Sequence, residues 1–315
     1  MRRVALVDNP ASGQTSPRRI AIMRDTLAAL RQAGIEVDHY TIDGPRSGSR
    51  LALKAMDDGC DAILVAGGDG TVHEILQSLV GTSVALGVVP MGTANALAAD
   101  LGLVGSPSKA IRRLLQAEPV PVPVGRITFQ AEDGSERSRY FTVAAGVGAD
   151  ALLMARMDPT LKRRFGYFLY LVEAFKIWAS HPFPLFQASF VNGRGTPRVE
   201  SASQLLAVRV RSFGGALGRL APGASLHSHN LALVAFKTRS RLRYLRFLLA
   251  VVAARQTFSS EVELIAADSV ECRPASASSP RIYVEADGEV LGHLPVRIEV
   301  AAETLTLLVP PNAQP

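Results

Sequence analysis

Ala62-Ile63-Leu64-Val65-Ala66-Gly67-Gly68-Asp69-Gly70-Thr71, followed by Val72-His73-Glu74-Ile75-Leu76, is the stretch that decides the fold. An apolar run breaks into a glycine turn and resumes with helical periodicity, the pattern of a buried strand feeding an amphipathic helix. Backbone N–H groups at such a helix start face an anion, and phosphate is the natural occupant. Gly67, Gly68 and Gly70 let the main chain approach a ligand closely, while Thr71 can cap the helix or donate its hydroxyl to a phosphate oxygen. Asp69 is the odd member. Beside phosphates it repels them unless a cation or a transferable proton lies between, which points to phosphate chemistry rather than phosphate storage. A plain β-to-α turn in which Asp69 caps the helix is the competing reading. The G-x-G-x-x-G spacing and the G-K-[ST] ending of the two common nucleotide signatures are both missing.

The same alternation of strand and helix periods runs from residue 1 to about 118, as a parallel sheet with crossover helices requires. Arg3 to Val7 is a buried strand, Asp8 to Gly13 its loop, and Ser16-Pro17 the start of a helix built on Ile20, Met23, Leu27 and Leu30 and stopped by Gly34. Strands at 35–41, 61–66 and 84–89 and a helix near 46–58 follow, and Pro90-Met91-Gly92-Thr93-Ala94-Asn95 turns into another helix. In such sheets ligands sit where the loops after several strands converge, and loops 8–13, 67–71 and 90–95 are all rich in glycine, hydroxyls and amides.

Proline at alternate positions in Pro119-Val120-Pro121-Val122-Pro123-Val124 suits a linker or an edge, so the expected boundary separates 1–121 from 122–315. Beyond it, alternating apolar residues in 124–130, 140–145, 186–191, 204–211, 231–237, 261–266, 281–285, 295–300 and 304–309 describe a β-sandwich. Helices are expected near 161–180 and 239–256.

Composition narrows the classes. The chain has 315 residues, 48% of them hydrophobic and 20% charged, which fits a globular protein of two domains. No apolar run approaches the roughly 20 residues of a membrane span, and Val4 to Val7 is too short for a signal-peptide core, so a cytoplasmic protein is expected. Cys60 and Cys272 have no partner spacing for zinc or a disulfide framework. The net charge of +6 favours anionic partners, yet 6% aromatic residues and no recognisable module speak against nucleic acid.

Taken together, Asn9-Pro10-Ala11-Ser12-Gly13, Gly67-Gly68-Asp69-Gly70-Thr71 and Pro90 to Ala98 resemble the catalytic domain of the diacylglycerol, sphingosine and ceramide lipid kinases, in the soluble bacterial YegS and BmrU branch. The likeness continues through Ala145 to Ala151, Gly214-Gly215, Leu220 to Ala224 and Asp287-Gly288-Glu289. The glycine-aspartate turn alone is shared with NAD kinases and phosphofructokinases; the asparagine-proline opening and Asn95 discriminate.

The resemblance implies an α/β nucleotide domain of the NAD kinase and phosphofructokinase type, then a β-sandwich whose last segment can pack back on the first domain. It puts Asn9, Pro10, Ser12, Gly13, Thr41, Gly67, Gly68, Asp69, Gly70, Thr71, His73, Gly92, Thr93 and Asn95 around ATP. Asp287 and Glu289 would face the γ-phosphate, with Glu289 the general base, Asp69 and Asp287 holding ATP-bound Mg²⁺, and Asp150 on the substrate side. The implied reaction is phosphorylation of a lipid hydroxyl, diacylglycerol to phosphatidate by default. Another lipid, a soluble acceptor such as NAD, and a catalytically weak regulator are the alternatives, and a homodimer is left open. Without the resemblance, Asp287-Gly288-Glu289 reads as a solvated hairpin tip.

One departure is plain. Where the branch carries an acidic turn for structural magnesium, this chain has Ser225-Leu226-His227-Ser228-His229-Asn230, and imidazoles suit that hard cation poorly.

A lipid kinase without a span needs a peripheral membrane contact. Lys237, Arg239, Arg241, Arg243 and Arg246 put five cations within ten residues, with Leu242, Leu245, Leu249 and Val252 on another face of the same helix. The expected packing buries those leucines on the sandwich with the arginines in water; a helix resting on anionic headgroups is the alternative. Lys162 to Phe168 and the aromatics up to Trp178 form a second candidate.

Overall fold

The computed structural model describes residues 1–12, 17–44, 46–92, 94–157, 167–193, 195–213, 220–253, 255, 257–311 and 313. Contacts divide the chain into two compact units, Met1–Val124 with Ala302–Pro315, and Gly125–Ala301.

The first unit runs β1 (Arg3–Asp8), α1 (Pro17–Gln32), β2 (Glu36–Thr41), α2 (Ser47–Asp57), β3 (Ala62–Gly67), α3 (Asp69–Leu79), β4 (Ala85–Pro90), α4 (Ala96–Asp100) and α5 (Pro107–Leu114). Its strands lie in the order β2-β1-β3-β4, all parallel, and the chain's last strand adds to β4 at Leu307 beside Leu86. Val4 to Val7, Ile63 to Val65 and Leu86 are fully shielded, as expected of strands covered on both faces. Parallel pairing brings the carboxyl ends of β1, β2, β3 and β4 to one edge, which is where the loops emerge.

Helix α1 corrects one expectation. Its buried stripe is Arg19, Met23, Thr26 and Leu30, so Ile20, one position off that stripe, stands 73% exposed. A buried arginine replaces the expected isoleucine because its guanidinium is consumed by the loop after β1, as described below. Helix α5 starts as capping chemistry predicts: Ser106 Oγ accepts the Lys109 amide and Pro107 takes the first helical position.

The proline run is strand, not linker: it opens β5 (Glu118–Gln130). The second unit continues with β6 (Glu136–Phe141), β7 (Ala144–Val147), α6 (Ala149–Arg156), α7 (Tyr167–Ser180), β8 (Phe186–Val191), β9 (Arg198–Ala202), β10 (Gln204–Val208) and β11 (Leu231–Phe236). Then come α8 (Arg241–Val252), β12 (Val262–Ala267), β13 (Ser269–Pro274), β14 (Tyr283–Ala286) and β15 (Glu289–Val309). Strands 295–300 and 304–309 of the sequence reading are one long strand, while α6, β9 and β13 were not anticipated.

Antiparallel pairing orders β12-β11-β10-β7-β14 along one path, and β9-β8-β13-β15 with β5 and β6 along another. Between them lie Phe141, Phe186, Leu205, Leu233, Val270, Val284 and Ile298, all fully shielded, which makes this unit a β-sandwich.

The second unit buries a whole arginine, Arg209, at the end of β10. Its guanidinium donates to the Leu226 and Ser228 carbonyls at 3.1 and 2.9 Å, and burial pulls its pKa down to about 10. A cation of the protein's own thus holds the turn 225–230, whose His227 and His229 are exposed. Arg209→Ala strips these buried carbonyls of their donor and should cost about 1–3 kcal/mol in urea unfolding. Chelation by EDTA should leave the thermal midpoint of the wild type unchanged; a drop on chelation would show that a metal braces this unit.

Candidate functional site

The loops after β3 and β4 of the first unit meet through their backbones. A Cβ built on Gly92 would lie 2.6 Å from the Gly68 Cα, so Gly92 must be glycine for the loops after β3 and β4 to touch, while a Cβ on Gly68 would make a tight contact of 3.3 Å with the Gly92 Cα. The Met91 amide donates to the Gly67 carbonyl at 2.9 Å, and Asn95 closes its own loop, its Oδ1 accepting the Gly92 amide and its Nδ2 donating to the Gly92 carbonyl.

Asp69 ties the two loops together. Its Oδ2 accepts the Asn95 amide and its Oδ1 the Ala96 amide, both at 2.8 Å. The acid at the start of α3 therefore caps the neighbouring helix α4, an arrangement not among those anticipated. Asn95 itself sits at φ 50°, left-handed, a conformation asparagine tolerates better than most side chains.

The loop after β1 joins through side chains. Asn9 Nδ2 donates to Thr71 Oγ1 at 2.7 Å, while Asn9 Oδ1 accepts the Ala11 amide in an Asx turn. Arg19, which the sequence reading passed over, is the brace: it donates to the Asn9 and Ser12 carbonyls at 2.6 Å each and pairs with Asp8. Ser12 Oγ is shielded and makes no hydrogen bond among the described residues. Thr41 ends β2 beside Asp8 and is exposed. His73 is buried in α3, its carbonyl accepting from Gln77 Nε2.

The structure thus brings Asn9, Gly67, Gly68, Asp69, Thr71, Gly92 and Asn95 into one hydrogen-bonded and packed constellation, with Gly70 within it and Pro10, Ser12 and Thr41 at the same edge. Gly13 and Thr93 lie outside the described residues. The chemistry this allows is anion binding by amides at the start of α3, on a platform whose loops are fixed in advance.

The second unit holds the other acids. Asp287 and Gly288, at φ 49° and 85°, form the two-residue turn between β14 and β15, with Ala286 paired to Glu289 across it. Asp287 Oδ1 accepts the Val143 and Ala144 amides at 2.8 and 3.1 Å, and Oδ2 accepts the Thr142 amide at 3.0 Å. Its carboxylate is therefore engaged by main chain, whereas Glu289 is exposed and its side chain makes no hydrogen bond or ion pair among the described residues.

Beneath this turn lies a pair the sequence reading saw only by half. Asp150 opens α6, and Glu285, buried in β14, accepts the Gly288 amide through Oε2 at 2.7 Å. A Cβ on Gly146 would collide with Asp150 Oδ2 and come within 2.8 Å of Glu285 Oε1, so only glycine leaves room for both acids. Burial pushes the Asp150 carboxyl up to about 7. Burial, and then the charge of Asp150, pushes Glu285 well above the carboxylate range.

Among the described residues, no group of three His, Cys, Asp or Glu side chains could hold a metal ion. Both carboxylates are engaged by amides, so Asp69 and Asp287 each set the loop they bond to.

Raised carboxyl pKa values make the folded state bind more protons than the unfolded chain above pH 4, so stability falls as pH rises from about 4 to about 7. Asp150→Asn should flatten that fall and raise the thermal midpoint at pH 8 above that of the wild type. Parallel midpoint-against-pH curves for the two proteins would show that the pair carries no such penalty.

The family model for the diacylglycerol kinase catalytic domain matches residues 3–127, and that for the YegS C-terminal NAD kinase beta sandwich-like domain matches residues 141–309. A diacylglycerol kinase of Mycobacterium tuberculosis (strain ATCC 25618 / H37Rv) is 27% identical over 312 residues, covering 98% of this chain and 95% of that protein. A probable lipid kinase YegS-like protein of Chromohalobacter salexigens is 29% identical over 294 residues, covering 91% and 88%. The fold is similar to that of a diacylglycerol kinase from Bacillus anthracis str. Sterne, with TM-score 0.71, 17% identity and coverage of 99% and 98%. It is also similar to that of yeast NADH kinase, with TM-score 0.54, 11% identity and coverage of 100% and 85%. The chain belongs to the YegS-like branch of the diacylglycerol kinase family, a family of phosphotransferases.

Proposed function

We propose that the protein transfers the γ-phosphate of ATP to a lipid hydroxyl, diacylglycerol being the default acceptor. The observation that carries this reading is the constellation of the first unit, in which Asp69 fixes Asn95 and Ala96 while Gly68 and Gly92 touch, leaving the amides at the start of α3 set for a polyphosphate. Phosphoryl transfer has a loose transition state, so positioning and charge neutralisation do most of the catalysis.

In this reading the loops after β1, β3 and β4, with Thr41, Gly13, His73 and Thr93, bind the nucleotide. Glu289, whose side chain has no partner among the described residues, accepts the proton of the attacking hydroxyl as the new phosphate ester forms. Asp287 is the positioning acid: three amides fix its carboxylate and so the turn that presents Glu289. Magnesium suits this donor set as an ion carried by the nucleotide, since Mg²⁺ keeps waters and phosphate oxygens and needs few protein ligands. When bound, it neutralises charge on the phosphates. Asp150, at the mouth of α6, belongs to the acceptor side.

A second reading, a soluble acceptor such as NAD, draws on one observation. A cavity of about 350 Å³ in the second unit is lined by Arg137, Arg281, Tyr283 and His293 beside Asp133 and Leu291, a mixed polar and apolar wall with one aromatic platform.

Labelled ATP with Mg²⁺, offered dispersed diacylglycerol, ceramide or sphingosine and, separately, NAD, decides between them. Label in the lipid extract supports the lipid reading, label in NAD supports the second, and ATP binding with no transfer favours a regulator. Glu289→Gln should lower turnover by about 100-fold or more while leaving ATP affinity unchanged. Asp69→Asn should lower both turnover and ATP affinity, because the amide nitrogen cannot accept the second backbone bond. Wild-type turnover in either variant would remove that residue from its role.

A further inference from the structure

Helix α8 carries two apolar stripes, and the fold uses only one. Tyr244, Phe247 and Val251 are buried, with Tyr244 stacked on Phe236 at 4.6 Å between ring centroids and Phe247 edge-on to Phe236 at 5.2 Å. The expected packing face is the other one, yet Leu242, Leu249 and Val252 stand 64%, 59% and 57% exposed. Aromatic rings fill the space over β11, so the leucines are turned outward.

These three residues lie within about 80° of one another around the helix, on the side away from Phe247. The helix contains no acid, and Arg243 is neutralised by Glu261. Arg241 and Arg246 are exposed and have no carboxylate partner among the described residues. The surface extends onto α7: Trp178 Nε1 donates to the Arg241 carbonyl at 2.8 Å, and Phe175, packed on Trp178 at 5.5 Å, is itself 64% exposed.

We propose that this face of the second unit lies on an anionic lipid bilayer, the outward stripe of α8 entering the acyl boundary while Arg241 and Arg246 meet headgroup phosphates. A helix of 12 residues is only about 18 Å long and apolar on one outward stripe, so it fits an interfacial orientation and not a crossing. No helix among the described residues is long and apolar enough to cross a membrane. Charge selects the occupant. A second copy docked through the same face would set unpaired arginines against arginines, whereas a bilayer supplies an apolar interior and an anionic surface together. That a membrane holds the partner rests on the lipid-acceptor reading above.

The test is co-sedimentation, without nucleotide, with vesicles of phosphatidylcholine alone and of phosphatidylcholine with about one third phosphatidylglycerol. The wild type should bind the anionic vesicles and bind the neutral ones more weakly. Leu242→Glu/Leu249→Glu should lower binding to anionic vesicles at least about tenfold, and Arg246→Glu should remove part of the preference for them. Both variants change exposed side chains, so their thermal midpoints and their turnover on detergent-dispersed acceptor should match the wild type. Equal vesicle binding by the double variant, no binding by the wild type, or a wild-type dimer that the double variant dissociates would each overturn the proposal. The two readings fail separately. Vesicle binding through α8 with no label in any lipid would leave this surface standing and sink the acceptor; label in dispersed lipid without vesicle binding does the reverse.

Discussion

The carboxylate of Asp69, shared between the Asn95 and Ala96 amides, is the interaction on which the first unit's site depends. It spans 26 and 27 residues of chain to hold one strand-end loop against another. Charge-assisted bonds of this kind are short and about twice as strong as neutral ones. They act together with the Met91 amide on the Gly67 carbonyl to keep Gly68 and Gly92 in backbone contact beside the start of α3. An acid in a glycine turn read as phosphate-binding is a conflict in the sequence. In the structure its charge is spent on amide donors, which lowers its repulsion toward an incoming phosphate.

The second unit repeats the device. Asp287 is held by amides from residues 142–144, and Glu285 by the Gly288 amide, so the turn between β14 and β15 is fixed from both sides while Glu289 stays open to solvent. Both units therefore use one acid to build a loop. In the second, that arrangement leaves the side chain of the next acid, Glu289, exposed. The buried pair Asp150 and Glu285 carries the cost, because two carboxyls beside Gly146 cannot both ionise without strong penalty.

The sequence made the strands and their loops legible, since glycine, asparagine and proline interrupt apolar runs in the same way in 8–13, 67–71 and 90–95. It could not show where a side chain's partners come from. Asp69 was visible as an acid in a phosphate loop, but its acceptor role depends on amides in a different loop. Arg19 and Arg209 were invisible because nothing local marks an arginine for burial, and each donates to carbonyls that the fold delivers. Helix α8 failed for another reason: both of its faces are apolar, and periodicity finds stripes without saying which one meets aromatic rings.

Amide hydrogen exchange, followed with and without ATP and Mg²⁺, addresses the central claim most directly. If the loops form one cradle, nucleotide should slow exchange together in 9–12, 67–72 and 91–96, and in Asp69→Ala the amides of Asn95 and Ala96 should exchange faster even without nucleotide. Protection confined to one loop, or wild-type exchange at Asn95 and Ala96 in the variant, would contradict the account.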